Sequence, residues 1–89
     1  MGTRVYSSVN GENVQFDFVS GAAADTDIPI ANIKVGDKLK MVLESATSTA
    51  VLTDQLADTE ITSDGNIQCA NATDGDDLIV IWRKIMVDA

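Results

Sequence analysis

The run Leu78-Ile79-Val80-Ile81-Trp82-Arg83-Lys84-Ile85-Met86-Val87, led in by the turn Asp74-Gly75-Asp76-Asp77, constrains this chain more than any other segment. Side chains alternate across a strand. Leu78, Val80 and Trp82 therefore share one face, and Ile79, Ile81 and Ile85 the other. A strand on a sheet with one solvated side carries polar residues on that side. This segment is apolar on both, so it reads as a strand covered twice. Two arrangements satisfy that. Either it is a central strand with one face in the core and the other under a loop, or the second face meets another subunit. Trp82 and Arg83 are residue types enriched at interface hot spots. Leu78, Val80, Trp82 and Ile85 are the candidates for core or self-association.

The rest of the chain also reads as strands and turns. Residues 4–9 alternate, with Val5, Ser7 and Val9 on one face. Asn10-Gly11 follows, a strong hairpin signal because both residues accept positive φ. Residues 14–19 alternate again, with Val14, Phe16 and Phe18 on one side and Gln15 and Asp17 on the other. Phe16, Phe18 and Trp82 are assigned to packing, which leaves Tyr6 as the spare aromatic. Residues 20–27 are small and polar and read as a loop. Ile28-Pro29-Ile30 is extended, because Pro29 disfavours helix before it. A turn at Val35-Gly36-Asp37-Lys38 leads into residues 38–45, where Leu39, Met41 and Leu43 are expected to face in and Lys38, Lys40 and Glu44 out. Residues 46–58 read as an irregular connection with one helical turn. Residues 59–62 and 67–70 form a second hairpin around Ser63-Asp64-Gly65-Asn66. This pattern predicts an all-β fold, a small antiparallel β-sandwich or barrel of about six or seven short strands. The expected organisation is a single domain over residues 1–89, with residues 1–27 as an N-terminal hairpin or arm that could be flexible.

Size and charge narrow the function. A chain of 89 residues buries only about 60–65% of its unfolded surface, so its own core is small. Cys69 is the one cysteine and there is no histidine. An internal disulfide is excluded and a zinc site is not expected. Association is the remaining route to extra stability. Fourteen acidic residues against six basic give a net charge of −8. Such a chain is repelled by nucleic acid and by anionic membranes. No apolar stretch approaches a membrane span, and the N-terminus carries no secretory core, so synthesis in the cytoplasm is expected.

Chemistry has little to work with. No histidine can activate a nucleophile, no Gly-x-Ser-x-Gly elbow occurs, and the spacing of Lys34, Lys38 and Lys40 suggests no Ser–Lys pair. Cys69 shares an apolar strand face with Ile67 and reads as a small buried hydrophobe. Asp74, Asp76 and Asp77 offer oxygens but lack the ligand spacing of a calcium loop, and turn formation explains them more simply. No enzyme and no cofactor are expected. Lys38 and Lys40 read either as strand-edge protection or as a basic strip for an acidic partner.

The order Ile33-x-Val35-Gly36-Asp37-x-Leu39-x-x-Val42-Leu43, then Ile61-Thr62-x-Asp64-Gly65-x-Ile67, then Thr73-x-Gly75-Asp76-x-Leu78-Ile79-Val80-x-Trp82 resembles the small head decoration, or cement, proteins of tailed bacteriophages. The likeness covers residues 28–83 and is one of turns and strand residues. It implies a β-rich virion protein on the capsid surface that binds the major capsid protein of the expanded head. Such a protein bridges coat subunits, often as a homotrimer, and brings no catalytic residues. Under that resemblance the docking candidates are Arg4, Val5, Tyr6, Lys38 and Lys40. The alternative expectation is a surface sandwich that binds a glycan or another ligand of the virion's surroundings.

Overall fold

A computed structural model describes residues 4–7, 13–46 and 51–84. Eight strands occur among them: β1 (Arg4–Ser7), β2 (Asn13–Ser20), β3 (Ile28–Pro29), β4 (Lys38–Ala46), β5 (Val51–Asp54), β6 (Thr59–Ser63), β7 (Asn66–Cys69) and β8 (Asp77–Arg83). They form two antiparallel sheets, a larger one ordered β1-β2-β8-β4-β5 and a smaller one ordered β3-β7-β6. The fold is all-β, as the alternation and turn spacing predict.

The two sheets meet through one apolar core. Val42, Leu78, Val80 and Trp82 enter it from the larger sheet, Ile28 and Ile67 from the smaller, and Ile30 and Ile33 from the loop after β3. Leu78, Val80 and Trp82 are fully buried, so these three candidates belong to the core. Each large aliphatic or aromatic side chain buried this way contributes about 1.5–3 kcal/mol. β8 sits at the centre of the larger sheet, between β2 and β4. Its described part ends at Arg83, and Ile85 lies outside the described residues.

Glycine sets the turns. Gly36, Gly65 and Gly75 have φ of 101°, 84° and 86°, a region open to glycine at no steric cost. The loop before β4 is fixed to the β6–β7 turn by paired backbone bonds, Ile30 N–H to the Gly65 carbonyl and Gly65 N–H to the Ile33 carbonyl. Asp64 Oδ1 accepts from Val35 N–H at 2.9 Å. The end of β8 is tied to the same region, because Lys84 Nζ pairs with the buried Asp37 carboxylate at 2.8 Å and donates to the Asn32 carbonyl.

Two details of the fold differ from the sequence reading. Residues 51–54 form a strand on the edge of β4, followed by a 3-10 turn at Leu56–Asp58. The expected helical turn is present, but Val51–Asp54 of the supposedly irregular segment is strand. All four β5 residues are exposed, so the segment lacks the in–out hydrophobic contrast that marks a strand. Between Leu39 and Met41 the register of β4 against β8 shifts by one residue. This bulge places an extra residue in the strand and reverses the faces beyond it.

Candidate functional site

The register of the larger sheet defines its two faces. Inward lie Gln15, Trp82 and Leu39 in one row, Asp17, Val80 and Val42 in the next, and Val19, Leu78 and Glu44 in the third. The opposite face carries Phe16, Ile81 and Met41 in one row and Phe18, Ile79 and Leu43 in the next. Six apolar side chains thus form a block two deep and three wide on the side away from the smaller sheet. Phe18 is 62% exposed and Met41 39%, and Leu52 of β5, opposite Ser45 in the end row, is 60% exposed. The Phe16 and Phe18 rings meet edge to face, 5.5 Å between centroids. A shallow depression at one end is lined by Phe18, Ile79, Ser45 and Asp77.

This arrangement inverts the sequence expectation at two strands. On β2, Gln15 and Asp17 are the buried residues, at 4% and 7%, while Phe18 faces outward. On β4, Leu39 packs against the core, but Met41 and Leu43 lie on the outer face and Val42 is fully buried. The cause at β4 is the bulge. At β2 the cause is that β8 needs apolar neighbours on both faces, and Phe16 and Phe18 supply them on the outer one. The two-faced run at 78–87 was the available signal: whichever strands flank it must line both sides.

Polar rows border the apolar block. At one end stand Val14, Arg83 and Lys38, and at the other Ser20, Asp77 and Ser45. One end is therefore basic and the other acidic. Lys38 and Lys40 are both exposed, but Lys40 is the unpaired residue of the bulge, so they do not share a face by regular alternation. Arg4, Val5 and Tyr6 belong to β1, the terminal strand of the larger sheet, opposite Phe16, Gln15 and Val14 in register.

At the acidic end, carboxylates crowd together. Hydrogen bonding to Asp76 raises the Glu44 pKa above its ordinary value; the Gln55 amide, donating to Glu44 at 2.9 Å, opposes the rise, while partial desolvation and the Asp76 charge add to it. Gln55 is itself buried and links the two sheets. Its Oε1 accepts from Asn71 at 2.9 Å and lies 3.6 Å from the Cys69 thiol, and its carbonyl accepts from Thr59 Oγ1 at 2.7 Å. Cys69 is buried at the end of β7. Among the described residues no three acidic or thiol side chains are grouped to hold a metal ion. A second shallow groove, lined by Asp25, Asp58, Glu60 and Gln68, is open and acidic.

No family model, no curated protein and no solved structure matches the chain. What the molecule offers is its own surface: an apolar sheet face with Arg83 and Lys38 at one end and Asp77 at the other. Such a face can exclude water against another protein surface, and isolated soluble monomers rarely leave a contiguous patch of this kind bare.

Proposed function

We propose that this chain is a virion structural protein, a decoration or cement protein that docks on the major capsid protein of an expanded phage head and stabilises the shell as a homo-oligomer. The observation that carries this reading is the outward apolar block of Phe16, Phe18, Met41, Leu43, Ile79 and Ile81 on a chain with no histidine and a net charge of −8. The turn-and-strand likeness over residues 28–83 supplies the class of partner. A surface of this kind supports binding to protein in place of turnover, and the reading assigns no catalytic step.

The mechanism is multivalent clamping. An oligomer that touches several coat subunits at once gains avidity through effective concentration, without new types of contact. A clamp across subunit junctions resists the outward pressure of packaged DNA. Arg4, Val5 and Tyr6 lie on a terminal strand, where a coat segment could add to the sheet through main-chain bonds. Lys38 and Lys40 supply exposed positive charge for an acidic coat surface. A glycan platform fits less well, because the exposed Phe18 ring stands against the edge of Phe16 and among aliphatic side chains and brings no hydrogen-bonding group.

Cosedimentation with purified heads tests the proposal. The chain is expected to pellet with expanded heads, to leave compact proheads unbound, and to raise the temperature at which expanded heads release DNA. Equal binding to both particles, or to neither, overturns it.

A further inference from the structure

We infer that the apolar outer face of the larger sheet is occupied by a second copy of this chain, packed sheet on sheet about a two-fold axis that runs across the strands. This deepens the association part of the reading above by naming the occupant of the face. It rests on that face being an interface and not on the identity of any coat protein.

The charge pattern selects this geometry. Along β8 the outward residues run Asp77, Ile79, Ile81, Arg83: acidic, apolar, apolar, basic. On β4 the outward residues run Ser45, Leu43, Met41, Lys38: neutral, apolar, apolar, basic, with exposed Lys38 beside Arg83 and Ser45 beside Asp77. Two such faces can meet about two in-plane two-fold axes. An axis along the strands sets the basic row of one copy over the basic row of the other. An axis across the strands reverses one copy end for end. Arg83 and Lys38 then come over Asp77 and Ser45 of the second copy, and Ile81 comes over its Ile79. The second geometry sets Arg83 over the second copy's Asp77, Lys38 over its neutral Ser45 and each apolar row over an apolar row, in the reciprocal fashion of an isologous interface.

The dimensions also fit. A seven-residue strand is roughly 20 Å long, and five strands at about 4.8 Å spacing span roughly 19 Å. Two faces of this size cover roughly 760 Å² in all, the size of a weak, transient interface. The expected affinity is micromolar. The pair is two-fold, in contrast to the homotrimer that the family resemblance implies, and it presents two copies of the β1 edge to a shell.

Sedimentation equilibrium of the whole chain across the micromolar range is the first test. A mass twice the 9.4 kDa of one chain is expected; a monomer at every concentration, or a trimer, overturns the inference. Phe18→Asp changes a side chain that is 62% exposed, so it is expected to stay folded by circular dichroism and to become monomeric. Asp77→Lys is expected to weaken pairing by roughly tenfold, whereas the like-over-like axis keeps two equal charges face to face and loses nothing. Orientation is read by a short bis-maleimide. A mixture of Lys38→Cys and Ser45→Cys chains is expected to cross-link, and neither variant with itself; self-linking of each variant overturns the axis. Head binding by the Asp77→Lys chain, which weakens pairing but changes no residue assigned to coat docking, reports on docking separately, so failure of one proposal is distinguishable from failure of the other.

Discussion

Gln15→Met examines the inverted face of β2 directly. Gln15 is 4% exposed and stands opposite Trp82, which is fully buried. Gln15 Oε1 and Trp82 Nε1 are both buried without a hydrogen-bond partner among the described residues. A buried acceptor left unsatisfied costs about 1–3 kcal/mol. Methionine has nearly the same shape, removes that acceptor, and leaves a weakly accepting sulfur near the indole N–H. Any bond made by the Gln15 amide N–H is lost in exchange, at about 1 kcal/mol. The net expectation is a gain of about 1 kcal/mol, or about 4–8 °C in Tm for a domain of this size. Trp82, the only tryptophan, reports unfolding by its emission in heat and urea. The companion variant Phe18→Ser, on the outward side of the same strand, is expected to change monomer stability by no more than about 0.5 kcal/mol. Dilute protein keeps self-association out of the comparison. Had the apolar residues of β2 faced the core, the outcomes would exchange: Gln15→Met would be neutral, and Phe18→Ser would cost several times more. That exchange would refute the assignment of faces, and with it the interface built on them.

Three further outcomes follow from the packing. A Cβ on Gly21 would lie 2.0 Å from the Thr73 carbonyl oxygen, where the two segments bond through Ala22 and Thr73; Gly21→Ala is expected to destabilise by about 1–3 kcal/mol in urea titration. Gln55→Leu removes the amide that joins Glu44 to Asn71 and is expected to cost about 1–3 kcal/mol, with faster hydrogen exchange in β6 and β7. Glu44 has a folded pKa above its ordinary 4.5 because of Asp76. A raised folded pKa means that the native state holds the proton more tightly. This contribution is therefore full below the ordinary carboxylate range and is lost as pH rises through the raised value. Glu44→Gln should flatten that part of the stability–pH profile and make the chain about 0.5 kcal/mol more stable at neutral pH; an unchanged profile refutes the coupling.

Strand positions and turns were legible because their causes are local. The hairpin of β6 and β7, and the turn before β8, are announced by Asp64-Gly65 and Asp74-Gly75, whose glycines take the positive φ that those turns need. The core side of β8 was legible too, since Leu78, Val80 and Trp82 are one continuous stripe. β5 was not, because its four exposed residues carry no contrast between faces. The reversal beyond Lys40 was hidden because a bulge changes the period by one residue, and alternation on either side looks regular without it. At β2 the periodicity was correct and its sense was not. Period two assigns residues to faces but does not say which face is the core.

That ambiguity decides which side chains reach the outer face. A strand with Phe16 and Phe18 on one side and Gln15 and Asp17 on the other would ordinarily turn the phenylalanines inward. Here β8 commits its Trp82 side to the smaller sheet, and the pairing register of β2 follows from that commitment. The polar side of β2 is then buried at the end of the core that holds Trp82 Nε1 and the Gln15 amide, and its aromatic side is left outside. Burying Gln15 Oε1 without a hydrogen-bond partner while exposing Phe18 costs the isolated chain free energy on both faces. Covering the outer face with a complementary surface recovers the apolar share of that cost, about 25 cal/mol for each Å² removed from water. Under the proposed pairing the sheet is half of a larger layered structure, and its covering layer is apolar at its centre and brings acid to Arg83 and base to Asp77. A second copy of the same sheet, reversed end for end, has these properties.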